Sequence, residues 1–540
     1  MPAPDTIRAA DAISRRLYAA GCRHAFGMPG GEVLTIVDAL EAAGITFILC
    51  KHENAAGFMA EAAWHQSGAP GILVATIGPG VLNGVNSIAN AHQDRVPLIV
   101  LSGCVDAAEA ETYTHQVLDH QAVLRPITKA TFRLSAGAAH VIADKAVGIA
   151  LEGRPGPVHI DVPISEADAL VGATAPAVRE KTASTALAGL DLERARRWLT
   201  EAHRPVIIAG VDAVNQNTGP TLTEFANRFG IPVITTYKAK GLLDETHPLS
   251  LGAAGLSPLA DKHLLPFVQS ADLILCVGYD PIEMRPGWRD VWDPRTTRVI
   301  DITAEPNHHY MHQAGLPVVA DCGASLAAIG DGIEPSQTWP DADIEAVKGA
   351  LAKAFPTDDN WGPAAVIDTC QRHLPIDTIA TADSGAHRIL LSQMWTCQTP
   401  RGLLQSSALC TMGCAVPLAM GTSLCAPERT VVSFSGDAGF LMVAGELSTA
   451  AELGITPIFV VFVDASLALI ELKQRQRQLR NAAVDFGYHD FAAMGRALGG
   501  AGHTVTNRAE LEAALQAAQS ADTFSVIACT IERGAYDGRI

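Results

Sequence analysis

Short runs of apolar residues recur along the chain and alternate with alanine-rich segments that have helical spacing. Strands that are apolar on both faces are typical of parallel sheets whose two faces are covered by helices. Their alternation with helices predicts an α/β protein along the whole chain. The predicted strands are residues 72–77, 97–101, 206–209, 273–277, 431–434, 458–463 and 524–529.

Two segments break this pattern, and we interpret both as linkers between domains. Residues 166–189 are rich in Ala, Thr and Ser, and residues 331–345 contain two prolines and many acidic side chains. Such compositions are typical of exposed connections between folded units. A chain of 540 residues is long enough for about three domains. The pattern therefore predicts three doubly wound parallel-sheet domains, at residues 1–168, 190–335 and 355–540.

Two aspartates follow neighbouring strands in the stretch from residue 431 to residue 471. The stretch predicts a buried strand, a glycine turn, an amphipathic helix and a second buried strand, at residues 431–435, 436–439, 443–453 and 458–463. Because the strands of a βαβ unit are parallel, Asp437 and Asp464 are expected at the same edge of the sheet, where they can share a cation such as Mg²⁺. Gly436 and Gly439 allow a ligand close to the backbone, and the helix N-terminus favours an anion. The sequence predicts a metal-bridged phosphate site.

Gly-Asp-Ala-Gly could also be only a tight turn, with Asp464 as a strand-end cap, since short glycine motifs often match by chance. The spacing favours the functional interpretation, because Asp464 follows Asp437 by 27 residues with a strand, helix and strand between them. This arrangement resembles the cofactor motif of thiamine diphosphate enzymes, in which Gly-Asp-Gly is followed at this distance by Asn or Asp. It is most similar to the form in catabolic acetolactate synthases, a branch of the acetohydroxyacid synthase and 2-keto acid decarboxylase superfamily.

The resemblance implies thiamine diphosphate and Mg²⁺ as cofactors. It assigns the metal to the side chains of Asp437 and Asp464 and to the backbone carbonyl of Ser466. It places Met412 beneath the cofactor to enforce a bent shape, and lets the carbonyl of Cys410 accept a hydrogen bond from the cofactor's amino group. The cofactor-binding residues that it implies in the third unit are Gly385, Ala386, His387, Cys410, Met412, Gly436, Asp437, Ala438, Gly439, Leu467, Ala468 and Leu469. Ala438 departs from the family, which has a second glycine there.

In the first unit, Glu53 stands where a predicted strand runs into a helix. A carboxylate in the first turn of a helix could simply stabilise the helix dipole, by about 0.3–1 kcal/mol. The neighbourhood resembles the thiamine enzymes, however, in which Gly-x-Pro-Gly-Gly is followed by His-Glu-x-x-Ala. The resemblance implies that Glu53 is the catalytic glutamate, that Pro29 and Gly30 bind the cofactor, and that Gly31 borders the substrate.

Further along, the segment from Thr76 to Gly84 contains Gly-Pro-Gly after a strand, but its spacing is not that of a dinucleotide fingerprint. The family has Gly-Pro-Gly-x-x-Asn here, so the resemblance implies that Thr76 and Asn83 bind the pyrimidine end of the cofactor. A lone histidine such as His115 is usually solvated or satisfied in the core. Catabolic acetolactate synthases have His-Gln at this point, which implies that His115 and Gln116 are catalytic residues near the reacting carbons.

The central unit has a sheet pattern but no constellation of residues that suggests chemistry. Its Gly278-Tyr279-Asp280-Pro281 segment resembles the catabolic synthases, which carry no flavin, so we expect no FAD. These residues could equally form a structural strand and turn.

Composition excludes several classes of partner. With 39 basic and 57 acidic residues the formal net charge is −18, which does not favour nucleic acid as a partner. No apolar run reaches the roughly 18 residues of a membrane span, and the N-terminus is predicted to be a helix and not a secretion signal. The eleven cysteines are scattered through apolar segments, as expected of reduced core residues. We therefore expect a cytoplasmic protein that does not bind membranes.

The resemblance implies that the cofactor binds between the first unit of one chain and the third unit of another, so a homodimer would be the minimal active unit and a homotetramer the expected assembly. It implies decarboxylation of a 2-keto acid, followed by carboligation to a second carbonyl, as in acetolactate synthase. The alternatives within the class are a simple 2-keto acid decarboxylase and an acyl-transferring lyase that acts on an anionic substrate. An NAD-dependent oxidoreductase would need a dinucleotide fingerprint. A non-catalytic relative would not need Glu53 with both aspartates.

One departure from the family bears on the substrate. The helix predicted to begin near Leu467 would place Leu469, Ile470 and Lys473 along one side, and the resemblance puts Ile470 and Lys473 at the substrate. The catabolic synthases have glutamine where this chain has Lys473. Lys473 could instead belong to a solvated basic run at 473–480. If it faces the site, a fixed cation would favour a substrate with an additional negative group.

Overall fold

The computed structural model describes residues 5–178, 182–336 and 338–540, and within them it has three parallel six-stranded sheets flanked by helices. The α/β architecture with three parallel-sheet units is therefore confirmed. Two of the predicted strands, 273–277 and 458–463, coincide with the observed bounds. These strands could be predicted from the sequence because parallel strands are buried on both faces and are therefore apolar along their whole length.

The first unit has a sheet in the order β3-β2-β4-β5-β7-β6 and a small antiparallel ribbon of β1 and β8. The strands are β1 (Thr6–Arg8), β2 (His24–Met28), β3 (Thr46–Leu49), β4 (Gly71–Ala75), β5 (Leu98–Cys104), β6 (Ala130–Arg133), β7 (Val158–Pro163) and β8 (Leu170–Gly172). The helices are α1 (Ala9–Ala19), α2 (Leu34–Ala42), α3 (Glu53–Ser67), α4 (Pro79–Gln93), α5 (His120–Leu124), α6 (Ala139–Leu151) and α7 (Ile164–Asp168).

The second unit has its sheet in the order β11-β10-β9-β12-β13-β14. The strands are β9 (Pro205–Ala209), β10 (Val233–Thr236), β11 (Ser250–Ala254), β12 (Leu273–Val277), β13 (Arg298–Thr303) and β14 (Leu316–Val319). The helices are α8 (Gly189–Thr200), α9 (Val211–Asn215), α10 (Gly219–Phe229), α11 (Pro258–Gln269), α12 (Cys322–Gly330) and α13 (Asp341–Ala354). The strand order changes direction between β9 and β12, which makes that edge the switch point of the sheet.

The third unit has its sheet in the order β16-β15-β17-β18-β20-β19. The strands are β15 (Ile379–Ala382), β16 (Leu403–Gln405), β17 (Val431–Gly436), β18 (Ile458–Val463), β19 (Ala501–Val505) and β20 (Ser525–Thr530). The helices are α14 (Pro363–His373), α15 (Ala386–Met394), α16 (Ala415–Cys425), α17 (Asp437–Val443), α18 (Leu447–Leu453), α19 (Ala468–Gln476), α20 (Phe491–Ala497) and α21 (Arg508–Gln519).

The structure corrects both predicted linkers. The first begins too early, because β8 pairs with β1 in the register Thr6↔Gly172 and so belongs to the first unit; its residues 179–181 lie outside the described residues. The second ends too late, because α13 begins at Asp341 and buries Ile344 in the core; its residue 337 is not described. The N-terminal helix begins at Ala9, after β1, and residues 1–4 are not described.

Helices α3 and α16 join the first unit to the third. They pack so closely that a side chain at Gly421 would have its Cβ 2.6 Å from the backbone oxygen of Met59. Phe58 and Leu418 are fully buried in this contact, and burying a side chain of that size contributes about 1.5–3 kcal/mol. Close packing here fixes the position of α3, the helix that begins with Glu53. None of the described helices combines the length and the apolar character that crossing a membrane requires.

Candidate cofactor and metal site

Asp437 and Asp464 lie side by side at the carboxyl edge of the third sheet. Strands β17 and β18 are parallel with Gly436 opposite Phe462, so the residues that follow them emerge together. Oδ2 of Asp437 accepts hydrogen bonds from the backbone N–H of Asp464 at 3.2 Å and of Ala465 at 2.8 Å. The two carboxylates meet where the parallel-strand argument placed them.

The helix after the glycine turn begins earlier than predicted. Helix α17 starts at Asp437 itself, a 3₁₀ turn at 444–446 interrupts it, and α18 continues to Leu453. The predicted end at Leu453 is confirmed, but the predicted start at 443 was wrong because Gly-Asp-Ala-Gly was interpreted as a turn, whereas Gly436 is the residue before the helix. Asp437 therefore lies in the first helical turn, where Oδ1 accepts a hydrogen bond from the N–H of Ala438 at 2.8 Å.

The electrostatics of the pair favour a cation. Asp464 is 5% exposed, and burial followed by the charge of Asp437 raises its pKa to about 7. Burial also raises the pKa of Asp437. Within the part of the chain that the structure describes, no three His, Cys, Asp or Glu side chains are arranged to hold a metal. A cation here would therefore bind two carboxylates and complete its shell with backbone and ligand oxygens, which suits Mg²⁺.

We expect Mg²⁺ affinity, in the presence of thiamine diphosphate, to rise with pH up to about 7 and then to level off. Asp464 keeps its proton in the folded protein up to about pH 7, against 3.8 for an ordinary aspartate, so below that pH the metal has to displace it. Because the folded protein holds this proton more tightly than the unfolded chain does, the metal-free fold loses stability as the pH rises from about 4 to about 7. Calorimetric titration in buffers of different ionisation enthalpy counts the released proton. Affinity that is flat from pH 5 to 7 would contradict the assignment, and Asp464→Asn should show a weaker pH dependence than the wild type.

A cavity of about 180 Å³ opens beside the acidic pair. Its described lining comes entirely from the third unit. It brings together fifteen of the residues that the resemblance selected, namely Gly385, Ala386, His387, Cys410, Met412, Gly436, Asp437, Ala438, Gly439, Asp464, Ser466, Leu467, Ala468, Leu469 and Ile470. These residues come from separate segments of the chain, so their convergence on one cavity was not guaranteed by sequence proximity.

Two buried polar atoms near the cavity have no hydrogen-bond partner among the described residues, Oδ2 of Asp383 and Nε2 of His387. A Cβ at Gly439 would lie 1.8 Å from Oδ2 of the buried Asp383, so the backbone at this position is packed closely against that carboxyl group. His387 is buried, its ring stacks on Phe462 with centroids 5.4 Å apart, and Nε2 has no hydrogen-bond partner among the described residues. Burial lowers the pKa of His387 to about 3, so its ring is neutral and has a single N–H, which is used in the hydrogen bond to the Asp383 backbone and leaves Nε2 as an acceptor.

A second group of the selected residues lies at the carboxyl edge of the first sheet. Glu53 is 4% exposed and begins α3, and Nδ2 of Asn83 donates to its Oε2 at 3.0 Å. The hydroxyl of Thr76 donates to Oε2 of Glu32 at 2.8 Å. A Cβ at Gly30 would lie 2.1 Å from the Thr76 hydroxyl oxygen, so only glycine fits there. Pro29 and Gly31 flank Gly30 directly after β2.

These two groups do not share a cavity within one chain. Glu53 is not in the described lining of the cavity beside Asp437. Met412 borders that cavity and also another at the start of α3, whose lining includes Lys51, His52, Asn54 and Ala55. Met412 therefore borders both the cofactor cavity and the cavity at the start of α3.

Three of the selected residues, His115, Gln116 and Lys473, belong to neither group. His115 and Gln116 are exposed, and the backbone oxygen of Gln116 lies close to Gly78, where a Cβ would be 2.9 Å from it. Lys473 is exposed on α19, whereas Leu469 and Ile470, which lie on the same helix, line the cavity. The predicted helix near Leu467 is confirmed, with Ala468 as its first residue.

Several residues of the site were missed from the sequence. Asp383 stands at the end of β15, in a segment whose resemblance was noticed, so it could have been selected. Glu32 follows Gly31 directly, but nothing in the motif shows that it binds Thr76. Tyr536 lines the cavity from the last residues of the chain. His120 and Asp161 hydrogen-bond to each other across 41 residues, a pairing that no local pattern could indicate.

Comparison with known proteins agrees with this geometry. The N-terminal TPP binding domain of thiamine pyrophosphate enzymes matches residues 7–123, the central domain 192–329 and the C-terminal TPP binding domain 383–529. The chain is 32% identical to the acetolactate synthase large subunit of Parasynechococcus marenigrum, over 98% of this chain and 89% of the relative. It is 28% identical to the catabolic acetolactate synthase of Raoultella terrigena, over 97% and 95%, and 30% identical to the acetolactate synthase isozyme 1 large subunit of Escherichia coli, over 94% and 91%. The chain therefore belongs to the thiamine pyrophosphate enzymes, in the family of the acetolactate synthases.

Proposed function

We propose that the protein decarboxylates a 2-keto acid with thiamine diphosphate and Mg²⁺ and joins the remaining fragment to a second carbonyl, as a carboligase of the acetolactate synthase type. The observation that carries the proposal is the convergence of the acidic pair, Gly439 and His387 on one cavity, with a buried Glu53 in the other cofactor-binding unit. The names of the relatives, which are acetolactate synthases, support the same reaction.

Each residue of the site has a distinct part in the proposed reaction. Asp437, Asp464 and the Ser466 carbonyl would hold Mg²⁺, which would neutralise the diphosphate. Bound thiamine diphosphate supplies the carbon chemistry of decarboxylation and carboligation. Glu53 exchanges a proton with the pyrimidine nitrogen of the cofactor, and the hydrogen bond from Asn83 to Oε2 holds its carboxyl in place.

The proposal includes a homodimer as the minimal active unit, assembled further into a homotetramer. Glu53 is absent from the described lining of the cavity beside Asp437, which supports a cofactor held between the first unit of one copy and the third unit of another. Nine of the eleven cysteines are buried, as is usual for reduced structural thiols, and we infer a cytoplasmic location from them.

The proposal includes no FAD. Ion pairs occupy the switch-point edge of the second sheet, where open α/β sheets commonly bind ligands. Arg154 reaches from the first unit to Asp212 at 3.0 Å and to Asp280 at 3.4 Å, and Arg95 binds Asp280 at 2.9 Å. A flavin at this edge would have to displace buried, paired charges, which is costly.

Two other reactions remain alternatives, a simple 2-keto acid decarboxylase and an acyl-transferring lyase that acts on an anionic substrate. The three reactions differ in what receives the fragment left after decarboxylation: a second carbonyl in the carboligase, a proton in the decarboxylase and an anionic acceptor in the lyase.

To distinguish them, the purified protein is incubated with thiamine diphosphate, Mg²⁺ and a panel of 2-keto acids, while CO₂ release and product mass are followed. A 2-hydroxy ketone or acid supports carboligation and an aldehyde supports the decarboxylase. No CO₂ from any member of the panel contradicts the proposal. Visible absorbance of the same preparation tests for flavin.

In this proposal the charge of Lys473 favours substrates with an additional negative group over pyruvate. We expect Lys473→Gln to raise kcat/KM for pyruvate relative to a dicarboxylate or sulfonate substrate by about tenfold, which is what loss of one charged hydrogen bond of about 1.5 kcal/mol gives. Lys473 lies on the helix whose residues Leu469 and Ile470 line the cavity. Arg480→Gln removes a charge from the same basic run but beyond the end of α19, and serves as the control. Equal changes for charged and uncharged substrates would show that Lys473 plays no part in selection.

A further inference from the structure

A chain of buried polar side chains crosses the first unit behind the segment from Thr76 to Asn83. Ser102, His120, His159 and Asp161 are each at most 4% exposed. Oδ1 of Asp161 accepts from the hydroxyl of Ser102 at 2.7 Å and lies 2.8 Å from Nδ1 of His120. Nε2 of His159 lies 2.7 Å from the Ser102 oxygen. Burial opposes the ionisation of Asp161, but its hydrogen bonds to His120, His159 and Ser102 outweigh this and hold its pKa below the usual range.

The other nitrogen of His120 binds the backbone of the cofactor loop. The N–H of Gly78 donates to Nε2 of His120 at 3.0 Å, so Nε2 carries no hydrogen. The ring proton of neutral His120 is therefore on Nδ1, from which it is donated to Asp161. The hydrogen bond from Nδ1 to Asp161 thus fixes the tautomer in which Nε2 is free to accept from Gly78, as is usual for histidines with a positioning role.

Gly78 connects this histidine to Glu53. It is the residue before α4 and has a φ of +69°, a conformation that suits glycine. Within the first two turns of α4, a Cβ at Gly80 would lie 3.1 Å from Oε1 of Glu53, and Asn83 donates to Oε2 of the same carboxylate. Hydrogen bonds therefore lead from Asp161 through His120 to Gly78, and from Asn83 of the helix that follows Gly78 to the Glu53 carboxyl.

We propose that His120, held in its Nδ1–H tautomer by Asp161, is a positioning residue that fixes the start of α4 and thereby the carboxyl of Glu53. The inference rests on the proposed function, since it concerns the proton that Glu53 exchanges with the cofactor. Without His120 the buried N–H of Gly78 loses its acceptor, and the start of the helix whose Asn83 binds Oε2 of Glu53 loses its anchor. Displacing a catalytic group by about 1 Å can slow a reaction on the order of 100-fold.

The test compares three variants with the wild type. His120→Leu removes both ring nitrogens, and His120→Gln keeps an acceptor that can reach an N–H. The matched control is His159→Leu, which removes an equally buried histidine of the same chain whose described hydrogen bonds do not involve Gly78. Hydrogen–deuterium exchange of the segment 76–84 is measured on each protein without cofactor, and exchange of the cofactor's C2 proton is measured with thiamine diphosphate and Mg²⁺.

We expect His120→Leu to speed amide exchange in segment 76–84 by about 10- to 100-fold and to slow C2-proton exchange by a similar factor, with cofactor affinity preserved. His120→Gln should recover much of both, and His159→Leu, which disturbs Ser102 and Asp161 but keeps the acceptor of the Gly78 N–H, should change both far less than His120→Leu. Equal effects of the two leucine variants, or unchanged exchange in His120→Leu, would overturn the proposal. If His120→Leu does not fold, ¹⁵N-histidine NMR spectra of the wild type test the proposal instead. The His120 signal is assigned by its loss in His120→Gln. A protonated Nε2 of His120 would exclude the hydrogen bond from Gly78 and overturn the proposal. Absence of C2 exchange in the wild type would instead count against the proposed function.

Discussion

Replacing Glu53 with glutamine is expected to slow exchange of the cofactor's C2 proton by roughly 10²–10⁴-fold, the usual contribution of a positioned acid–base group. An amide cannot take up and return a proton at the pyrimidine nitrogen. The fold should persist, because the amide oxygen of the introduced glutamine can still accept the hydrogen bond that Asn83 donates to Glu53. Acid-quenched samples taken from deuterated buffer and analysed by NMR give the exchange rate, and fluorescence quenching gives cofactor affinity.

Glu61→Gln is a matched control on the same helix. Glu61 is 2% exposed and accepts a hydrogen bond from Asn90 at 2.8 Å, which closely parallels Glu53 and Asn83. It also pairs with Lys238 at 3.6 Å and lies two turns further along α3, so its loss should reduce stability without changing the exchange rate. If both glutamine variants retain wild-type exchange, Glu53 has no part in the proton relay and another group must perform it.

The fold was predictable from the sequence because parallel sheets leave a strong local signal. Strands buried on both faces stay apolar over their full length, and the strand at 458–463 was predicted with its observed bounds. The position of Asp437 next to Asp464 followed from the same fact, since consecutive parallel strands end at one edge. Predicting the acidic pair required only the order of strand, helix and strand along a single stretch of the chain.

Features that depend on distant parts of the chain were not predictable. Strand β8 was assigned to a linker because its partner β1 lies at the other end of the first unit. The start of α17 at Asp437 was missed because glycine-rich segments resemble turns, although Gly436 precedes the helix. His120 was passed over in favour of His115, which is exposed, because the hydrogen bonds of His120 to Gly78 and Asp161 exist only in the folded chain.

Replacing Asp437 with alanine is expected to weaken Mg²⁺-dependent cofactor binding by at least about 100-fold, because even outer-shell partners of a metal site contribute 10- to 100-fold. The diphosphate would lose the cation that neutralises it. The variant also leaves the N–H groups of Asp464 and Ala465 without the acceptor that Oδ2 of Asp437 provides, so the loop that carries the second carboxylate loses its anchor. Titration of thiamine diphosphate at fixed Mg²⁺, followed by calorimetry, measures the loss.

Two further variants separate the metal from the loop. Asp437→Asn keeps an oxygen that can accept both N–H groups but removes the charge, so metal binding should still weaken strongly while the loop stays in place. Asp537→Asn removes a carboxylate that pairs with Arg475 and does not line the cofactor cavity, and it should leave cofactor binding unchanged. Because the pKa of Asp464 is raised by burial and then by the charge of Asp437, removing that charge should also lower the pKa of Asp464. Tight Mg²⁺-dependent binding in Asp437→Ala would mean that Gly-Asp-Ala-Gly is only the start of a helix.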